Sequence, residues 1–102
     1  MIKSTSVIAL VSGLALSQSV TADQALAQAN GCMACHQVET KLVGPSYKDV
    51  AAKYRGGADA KATLIGKVRS GGAGIWGEVP MPPNLAISDA DLDAVMVWVL
   101  SH

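Results

Sequence analysis

Residues 31–36 read GCMACH, and this stretch decides how the rest of the chain is interpreted. Its two cysteines, Cys32 and Cys35, are the only ones in the sequence. On one helical turn their thiols reach two substituents of a single rigid ring, and His36 can aim its imidazole back across that ring toward a central metal. This is the arrangement that attaches haem through two thioether bonds and binds its iron from one side.

A bare CxxC pattern has three other interpretations, namely half of a zinc site, a redox dithiol and a structural disulfide. A zinc site usually has four ligands, and the one other histidine is His102, on a C-terminus that we expect to fray. A thioredoxin-like dithiol accompanies a βαβ pattern, which the sequence lacks. The histidine directly after the second cysteine therefore favours covalent haem.

Residues 1–22 have the pattern of a secretory signal peptide. Lys3 precedes an apolar run at 7–16, and the small-residue site Val20-Thr21-Ala22 follows. The run has about half of the roughly 20 residues that span a bilayer. We expect cleavage after Ala22, export to a bacterial periplasm and no stable membrane insertion, which leaves residues 23–102 as the functional domain.

The composition of residues 23–102 limits the classes of function. Seven basic and eight acidic side chains leave no excess of positive charge, which argues against a nucleic-acid-binding protein. The length allows one domain. There is no Phe, and 13 of the 39 hydrophobic residues are Ala, so the core is lean and requires a staple or a large apolar group.

The periodicity predicts a single all-α domain without strands. Residues 71–87 form a long loop rich in Gly and Pro, the kind of loop that is usually functional or disordered. The last helix follows the capping box Ser88–Asp91 and buries one face. The other predicted helices are 23–29 capped by Asp23, 47–55 opened by Gly44-Pro45-Ser46, and 60–69 capped by Asp59, and the buried face of the last helix comprises Leu92, Val95, Met96 and Val99.

A second iron ligand has to come from elsewhere in the chain. Among the methionines, Met1 leaves with the signal peptide, Met33 lies inside the CxxCH turn, and Met96 falls on the apolar helix face. Met81 remains, in a loop where Pro80, Pro82 and Pro83 restrict the backbone. The sequence favours Met81 as the ligand, although a loop methionine also serves as ordinary packing.

Four motifs in this order resemble the class I c-type cytochromes, specifically the small bacterial cytochrome c-551/c-552 (cytochrome c8) family. They are GCMACH at 31–36, VGPSYKDVA at 43–51, GIWG at 74–77 and PMPPN at 80–84. The similarity extends to residues 98–101. It implies four to five short helices wrapped around one covalently bound haem c.

The resemblance also implies roles for individual residues. Cys32 and Cys35 match the cysteines that form the thioether bonds. His36 matches the proximal iron ligand, and Met81 matches the distal one. The metal-binding residues are thus expected to be His36 and Met81.

Further positions match residues that the family places around the haem. Pro45 matches a proline whose carbonyl accepts a hydrogen bond from the proximal imidazole. Trp76 matches a tryptophan that donates to a haem propionate, and Asn84 a residue hydrogen-bonded near the methionine sulfur. Trp98 matches an aromatic residue that packs against the first helix. Ala27 stands where the family usually has Phe, which places the packing of that helix in question.

Iron bound by both His36 and Met81 would have no open coordination position, and this favours electron transfer over the binding of a further ligand. We expect a soluble monohaem electron carrier, not an enzyme, that acts as a monomer in transient complexes. The family implies a quinol–cytochrome c reductase as donor and nitrite reductase or a terminal oxidase as acceptor. The alternative is a ligand-binding or peroxidase-type haem protein in which Met81 dissociates.

Overall fold

The computed structural model describes residues 21–102, and within them the chain forms four α-helices and no strand longer than an isolated bridge. The predicted signal segment therefore lies outside the described residues except for Thr21 and Ala22. The helices are α1 Ala22–Ala29, α2 Tyr47–Tyr54, α3 Ala60–Ser70 and α4 Asp89–Leu100, with a short 3-10 turn at Cys32–Ala34. The all-α prediction is confirmed.

Helix α4 is the element against which the other three helices pack. Its buried face contains Leu92, Val95, Met96 and Val99, as the i, i+3, i+4, i+7 spacing predicts. The rest of the core cluster consists of Trp98, also from α4, and of a few side chains from elsewhere in the domain, namely Ala27, Tyr47, Val50, Leu64 and Ile87. The apolar core is as lean as the composition indicates.

The small side chain of Ala27 is fully buried, and α1 packs directly on α4. A methyl group at this position lets two helices approach where a larger ring would hold them apart. The missing Phe thus leaves the contact between these helices intact.

Two of the predicted helix caps are wrong, and the predicted cap of the last helix is correct. Thr21 accepts a hydrogen bond from the Gln24 amide and caps α1 in place of Asp23, so the helix starts one residue earlier than predicted. Asp59 precedes α3 without a capping hydrogen bond. The hydroxyls of Ser46 and Ser88 each accept a hydrogen bond from the backbone amide three residues later, as N-caps normally do.

The C-terminus is packed against the domain, contrary to the prediction that it frays. The His102 ring lies edge-on to Trp98 at 4.8 Å between centroids, and its Nε2 is buried. Trp98 in turn meets Tyr47 edge-on at 5.3 Å. No helix within residues 21–102 has the length and apolar character needed to cross a membrane.

Candidate haem site

A cavity of about 750 Å³ separates the CxxCH turn from the long loop that precedes α4. Both segments contribute to its wall, as do side chains of α2, α3 and α4. Every site residue expected from the sequence lines this one cavity: Cys32, Cys35, His36, Pro45, Trp76, Met81 and Asn84. Residues separated by up to 52 positions in the chain are thus brought around one space.

The His36 side of the cavity is built by hydrogen bonds to the segment that leads into α2. The His36 Nδ1 donates to the Pro45 carbonyl at 2.8 Å, the contact that the resemblance implies. The Gly44 amide donates to the Cys35 carbonyl at 2.8 Å, and the Tyr47 amide to the Gln37 carbonyl at 2.9 Å. Because a carbonyl only accepts, Nδ1 carries the proton and Nε2 is the ring nitrogen available to a metal.

Gly44 is required here by space. A Cβ at this position would lie 2.6 Å from Cε1 and 2.9 Å from Nδ1 of His36. On the other side the Tyr47 ring stacks on the imidazole, with 5.3 Å between centroids and 21° between the planes. The imidazole is therefore held between a bare backbone and an aromatic face.

The two thiols are free and half-buried beside this histidine. Burial raises the pKa of the Cys32 thiol, and a hydrogen bond from its own backbone opposes that rise. Burial also raises the pKa of the Tyr47 phenol, with a smaller contribution from Cys32 and Cys35. The phenol oxygen has no hydrogen-bond partner among the described residues.

The Met81 side of the cavity is built by backbone pairing across the long loop. The Met81 amide donates to the Gly72 carbonyl at 2.8 Å, and the Gly72 amide donates back to Met81 at 3.0 Å. Gly71 has a positive φ of 67°, and a Cβ there would lie 2.5 Å from the Met81 carbonyl oxygen. Only glycine fits this position without strain.

Asn84 lines the cavity and also makes the hydrogen bonds that order the loop after Met81. Its Oδ1 accepts from the amides of Ala86 and Ile87 at 3.1 and 3.2 Å, and its Nδ2 lies 3.5 Å from the Asn30 carbonyl oxygen. The Asn84 amide donates to the Val68 carbonyl of α3 at 2.8 Å. Asn84 thereby fixes the end of the Met81 segment to α3.

Trp76 and Met96 line the cavity, but Trp76 is also exposed to solvent and Met96 also belongs to the core. Trp76 is 41% exposed at the cavity rim, with the Lys53 Nζ 5.7 Å from its ring centroid. Met96 borders the cavity but is 6% exposed and belongs to the core cluster. The predicted packing role of Met96 therefore agrees with its burial.

Sequence reasoning missed the residues that support the ligands from behind. Gly71 and Gly72 were predicted only to end α3, and Gly44 only to precede a helix. Tyr47 and Arg69 were assigned no part in the site. The signal for the glycines was their position directly beside other motif residues, but the need for a missing Cβ appears only in three dimensions.

A haem fits this donor set, and a zinc ion does not. Two free thiols precede a histidine whose Nε2 is available, and a thioether side chain lines the same cavity. Within residues 21–102 no three His, Cys, Asp or Glu side chains are grouped closely enough to hold a metal ion. A thioether and an imidazole are known axial ligands of haem iron.

Comparison with known proteins agrees with this assignment. The family model described as cytochrome c matches residues 21–102. Cytochrome c-552 of Nitrosomonas europaea is 51% identical over 90 residues, which cover 88% of this chain and 87% of that protein. Cytochrome c-551 of Allochromatium vinosum is 53% identical over 87 residues, covering 85% and 93% respectively.

Solved structures are similar over most of the described residues. The crystal structure of wild-type Nitrosomonas europaea cytochrome c552 superimposes with a TM-score of 0.73 at 55% identity, covering 76% of this chain and 95% of that one. Class 1 cytochrome MtoD from Sideroxydans lithotrophicus ES-1 gives a TM-score of 0.65 at 37% identity, covering 78% and 90%. Both sequence and fold therefore point to one family.

Proposed function

The chain belongs to the cytochrome c family and is a small monohaem electron carrier, and we propose that His36 and Met81 bind the iron of its haem c. The observation that carries the proposal is the cavity that both residues share with the two thiols. Cys32 and Cys35 fit one covalently attached haem c. When bound, the haem supplies a one-electron Fe(III)/Fe(II) couple.

His36 holds its part of the site through the hydrogen bond to Pro45. A proton on Nδ1 fixes the tautomer, so that Nε2 is available to bind iron in every molecule. The stacked Tyr47 ring and the closely approaching backbone of Gly44 restrict rotation of the imidazole. A ligand that moves little favours fast electron transfer, because little has to rearrange when the charge changes.

Met81 determines which chemistry follows. A thioether in the second axial position stabilises the reduced state relative to a harder ligand and raises the potential. It also fills the position at which oxygen or peroxide would bind. The paired backbone of Met81 and Gly72 restrains the segment that carries this side chain. We therefore propose electron transfer, and not peroxidase or ligand-binding chemistry, as the activity.

Trp76, Asn84 and Pro45 complete the proposed site. We propose that the Trp76 indole N–H donates to a haem propionate at the cavity rim, where the side chain is partly exposed. Asn84 holds the Met81 segment through its contacts with α3 and with the following turn.

The proposed setting is a bacterial periplasm, with respiratory redox proteins as partners. A quinol–cytochrome c reductase is the proposed donor, and nitrite reductase or a terminal oxidase the proposed acceptor. Such encounters use small and transient interfaces, which suits a monomer. Cleavage after Ala22 would make Asp23 the first residue, with its carboxylate at the positive end of α1.

Visible spectroscopy of the purified holoprotein tests the ligand assignment. We expect the ferric protein to show the long-wavelength sulfur-to-iron charge-transfer band and the ferrous protein to bind no carbon monoxide at neutral pH. Met81→Ala should abolish the band, admit carbon monoxide and lower the potential, whereas the matched Met96→Leu should change none of these. The reverse result would make Met96 the ligand, and a wild-type protein that binds carbon monoxide would favour the sensor or peroxidase alternative.

Mass spectrometry of protein from a periplasmic extract tests the setting separately. The expected mass is that of residues 23–102 plus one haem. A mass that retains residues 1–22, or a protein found only in the cytoplasm, would contradict the proposed export without affecting the ligand assignment.

A further inference from the structure

One arginine connects α3 with both the end of the Met81 loop and the start of α4. Arg69, in the last turn of α3, donates from Nη1 to the Asn84 carbonyl at 3.2 Å. Its Nη2 donates to Asp89 Oδ1 at 2.7 Å. The two bonds use two nitrogens of a planar group whose fork geometry is fixed. A single side chain therefore ties three elements together.

The Asn84 end of this connection lies three residues after Met81. The Asn84 amide donates to Val68, the residue next to Arg69, at 2.8 Å, so both backbone polar groups of Asn84 are bound by consecutive residues of α3. Among residues 21–102 the Met81 backbone itself pairs with Gly72 alone. The segment is thus attached at two points, one at the methionine and one at Asn84.

The residues between these two attachments have little conformational freedom. Pro82 and Pro83 have a fixed φ and no amide proton. They cannot donate a backbone hydrogen bond that would hold the segment in a shifted position. If the attachment at Asn84 loosens, the segment can pivot about Gly72 and carry the Met81 side chain with it.

The bond to Asn84 matters more than the ion pair to Asp89. The Asp89 side chain is fully exposed and the Arg69 side chain is 25% exposed, and exposed ion pairs contribute little to stability. A hydrogen bond from a charged donor to a partly buried carbonyl contributes more. Asp89 serves to hold the guanidinium in the orientation that reaches Asn84.

We infer that Arg69 is a positioning residue for Met81, and that its guanidinium keeps the methionine on the iron by fixing Asn84 to α3. The inference rests on the proposed role of Met81 as an iron ligand. It assigns to Arg69 an effect on how often the thioether leaves the iron, which is separate from any effect on overall stability.

Binding of exogenous imidazole to the ferric holoprotein measures that effect, because imidazole enters only when Met81 leaves. In Arg69→Met, which keeps the alkyl stem, we expect the imidazole association rate to rise about tenfold. Arg69→Lys should give an intermediate rate, since an ammonium retains the charge and lacks the fork. Asp89→Asn should give a smaller rise than either.

Arg55 provides a matched control. Its Nε donates to the Leu100 carbonyl at 3.1 Å, at the far end of α4 and away from the loop. Arg55→Met also removes a guanidinium bond to a backbone carbonyl, here an exposed one, so it should lower the denaturation midpoint only slightly and leave the imidazole rate at the wild-type value. Any loss of overall stability in Arg69→Met can be compared directly with this variant.

The outcomes separate the inference from the function on which it rests. A rate in Arg69→Met equal to that in Arg55→Met would overturn the role of Arg69 while the wild-type charge-transfer band leaves Met81 as ligand. Absence of that band in the wild type would overturn the ligand assignment, and the role of Arg69 with it. Should Arg69→Met fail to fold, Arg69→Lys and Asp89→Asn still decide the question, because unchanged rates in both would contradict the inference.

Discussion

The His36 and Met81 sides of the cavity solve the same problem in different ways. Each must hold one side chain at a fixed place, and each does so beside a glycine whose missing Cβ makes room. The His36 side uses hydrogen bonds between segments nine or ten residues apart, such as His36 with Pro45 and Gly44 with Cys35. The Met81 side instead depends on distant segments, because Asn84 binds the Val68 carbonyl of α3 and contacts Asn30 at the end of α1.

This difference separates a locally determined ligand from one that depends on tertiary structure. The two cysteines lie in the same turn as His36, so covalent attachment would keep this proposed proximal ligand near the iron even when the domain loosens. Met81 has no such tether, and its contacts are lost when α3 shifts. Local openings of a native protein start where stabilising contacts are few, so Met81 should leave the iron before the fold is lost.

Gly71→Ala, on the Met81 side of the cavity, should have the largest effect. The added Cβ meets the Met81 carbonyl oxygen at 2.5 Å and Pro83 N at 2.8 Å, both backbone atoms, and the positive-φ, extended-ψ conformation of Gly71 alone costs roughly 1–3 kcal/mol for a non-glycine residue. We expect a loss of about 3 kcal/mol or more in the free energy of unfolding, since the collision adds to that cost. The charge-transfer band should disappear while the haem stays attached.

Gly66→Ala is the matched control within the same helix. Nothing lies within 4 Å of its added Cβ, and alanine is favoured over glycine in a helix by roughly 0.5–1 kcal/mol. The control should therefore be stabilised and keep the band. A Gly71→Ala protein with a normal band and wild-type denaturation midpoint would show that the loop can move away without releasing Met81.

Gly44→Ala should disturb the His36 side of the cavity, with a smaller effect on the free energy of unfolding. Its Cβ meets side-chain atoms of His36, which can rotate, so we expect an overpacking cost of about 1–3 kcal/mol. The imidazole should lose its bond to Pro45, which NMR detects as a shift and faster exchange of the His36 ring N–H. The haem and the charge-transfer band should both remain.

Gly56→Ala controls for the substitution itself, because its Cβ meets nothing within 4 Å. Its His36 signal should match the wild type. If Gly44→Ala instead released Met81 as readily as Gly71→Ala, the two sides would be coupled and the contrast between them would fail.

The sequence predicted most of the fold because its signals are local. Apolar spacing in α4 and the residues that end each helix depend only on near neighbours, and those helix boundaries agree to within about one residue. Of the two wrong caps, Asp59 makes no capping hydrogen bond, whereas at α1 two candidates lie two residues apart. Thr21 and Asp23 are both good N-caps, and propensity alone does not choose between them.

The site was predictable as far as its chemistry is carried by motifs. CxxCH, the proline after Gly44 and the methionine between prolines each identify a residue by type and spacing. The supports behind them depend on distance in space. The stacking of Tyr47 on His36 joins residues 11 positions apart, and the contact of Arg69 with Asn84 joins residues 15 apart, so neither leaves a periodic trace.

Serine caps allow a finer test of the same contrast. Ser46 and Ser88 each accept a hydrogen bond from the amide three residues later, and replacing such a cap with alanine costs about 1 kcal/mol. Only Ser46 is adjacent to Pro45, whose carbonyl holds His36. We expect both Ser46→Ala and Ser88→Ala to lose unfolding free energy, Ser46→Ala more because its hydroxyl is buried, but a shifted His36 ring N–H in Ser46→Ala alone. A shift of the same size in both variants would mean that the effect is global.

The smallest expected effect concerns the phenol of Tyr47, whose ring stacks on the His36 imidazole while its hydroxyl has no hydrogen-bond partner among the described residues. Tyr47→Phe keeps the stacked ring and removes a buried hydroxyl that has no partner among the described residues. Since an unsatisfied buried polar group is unfavourable, the variant should be stabilised by up to about 1 kcal/mol, with an unchanged His36 signal.

Tyr54→Phe is the comparison for Tyr47→Phe, because Tyr54 is only partly buried beside the core and should respond by less. The pair of variants therefore measures what the buried hydroxyl of Tyr47 costs, apart from the loss of any tyrosine oxygen. A clear destabilisation by Tyr47→Phe alone would show that the phenol has a partner in the holoprotein. The proximal side would then depend on a contact made only when haem is bound, and its independence from the rest of the fold would be smaller than its short-range hydrogen bonds indicate.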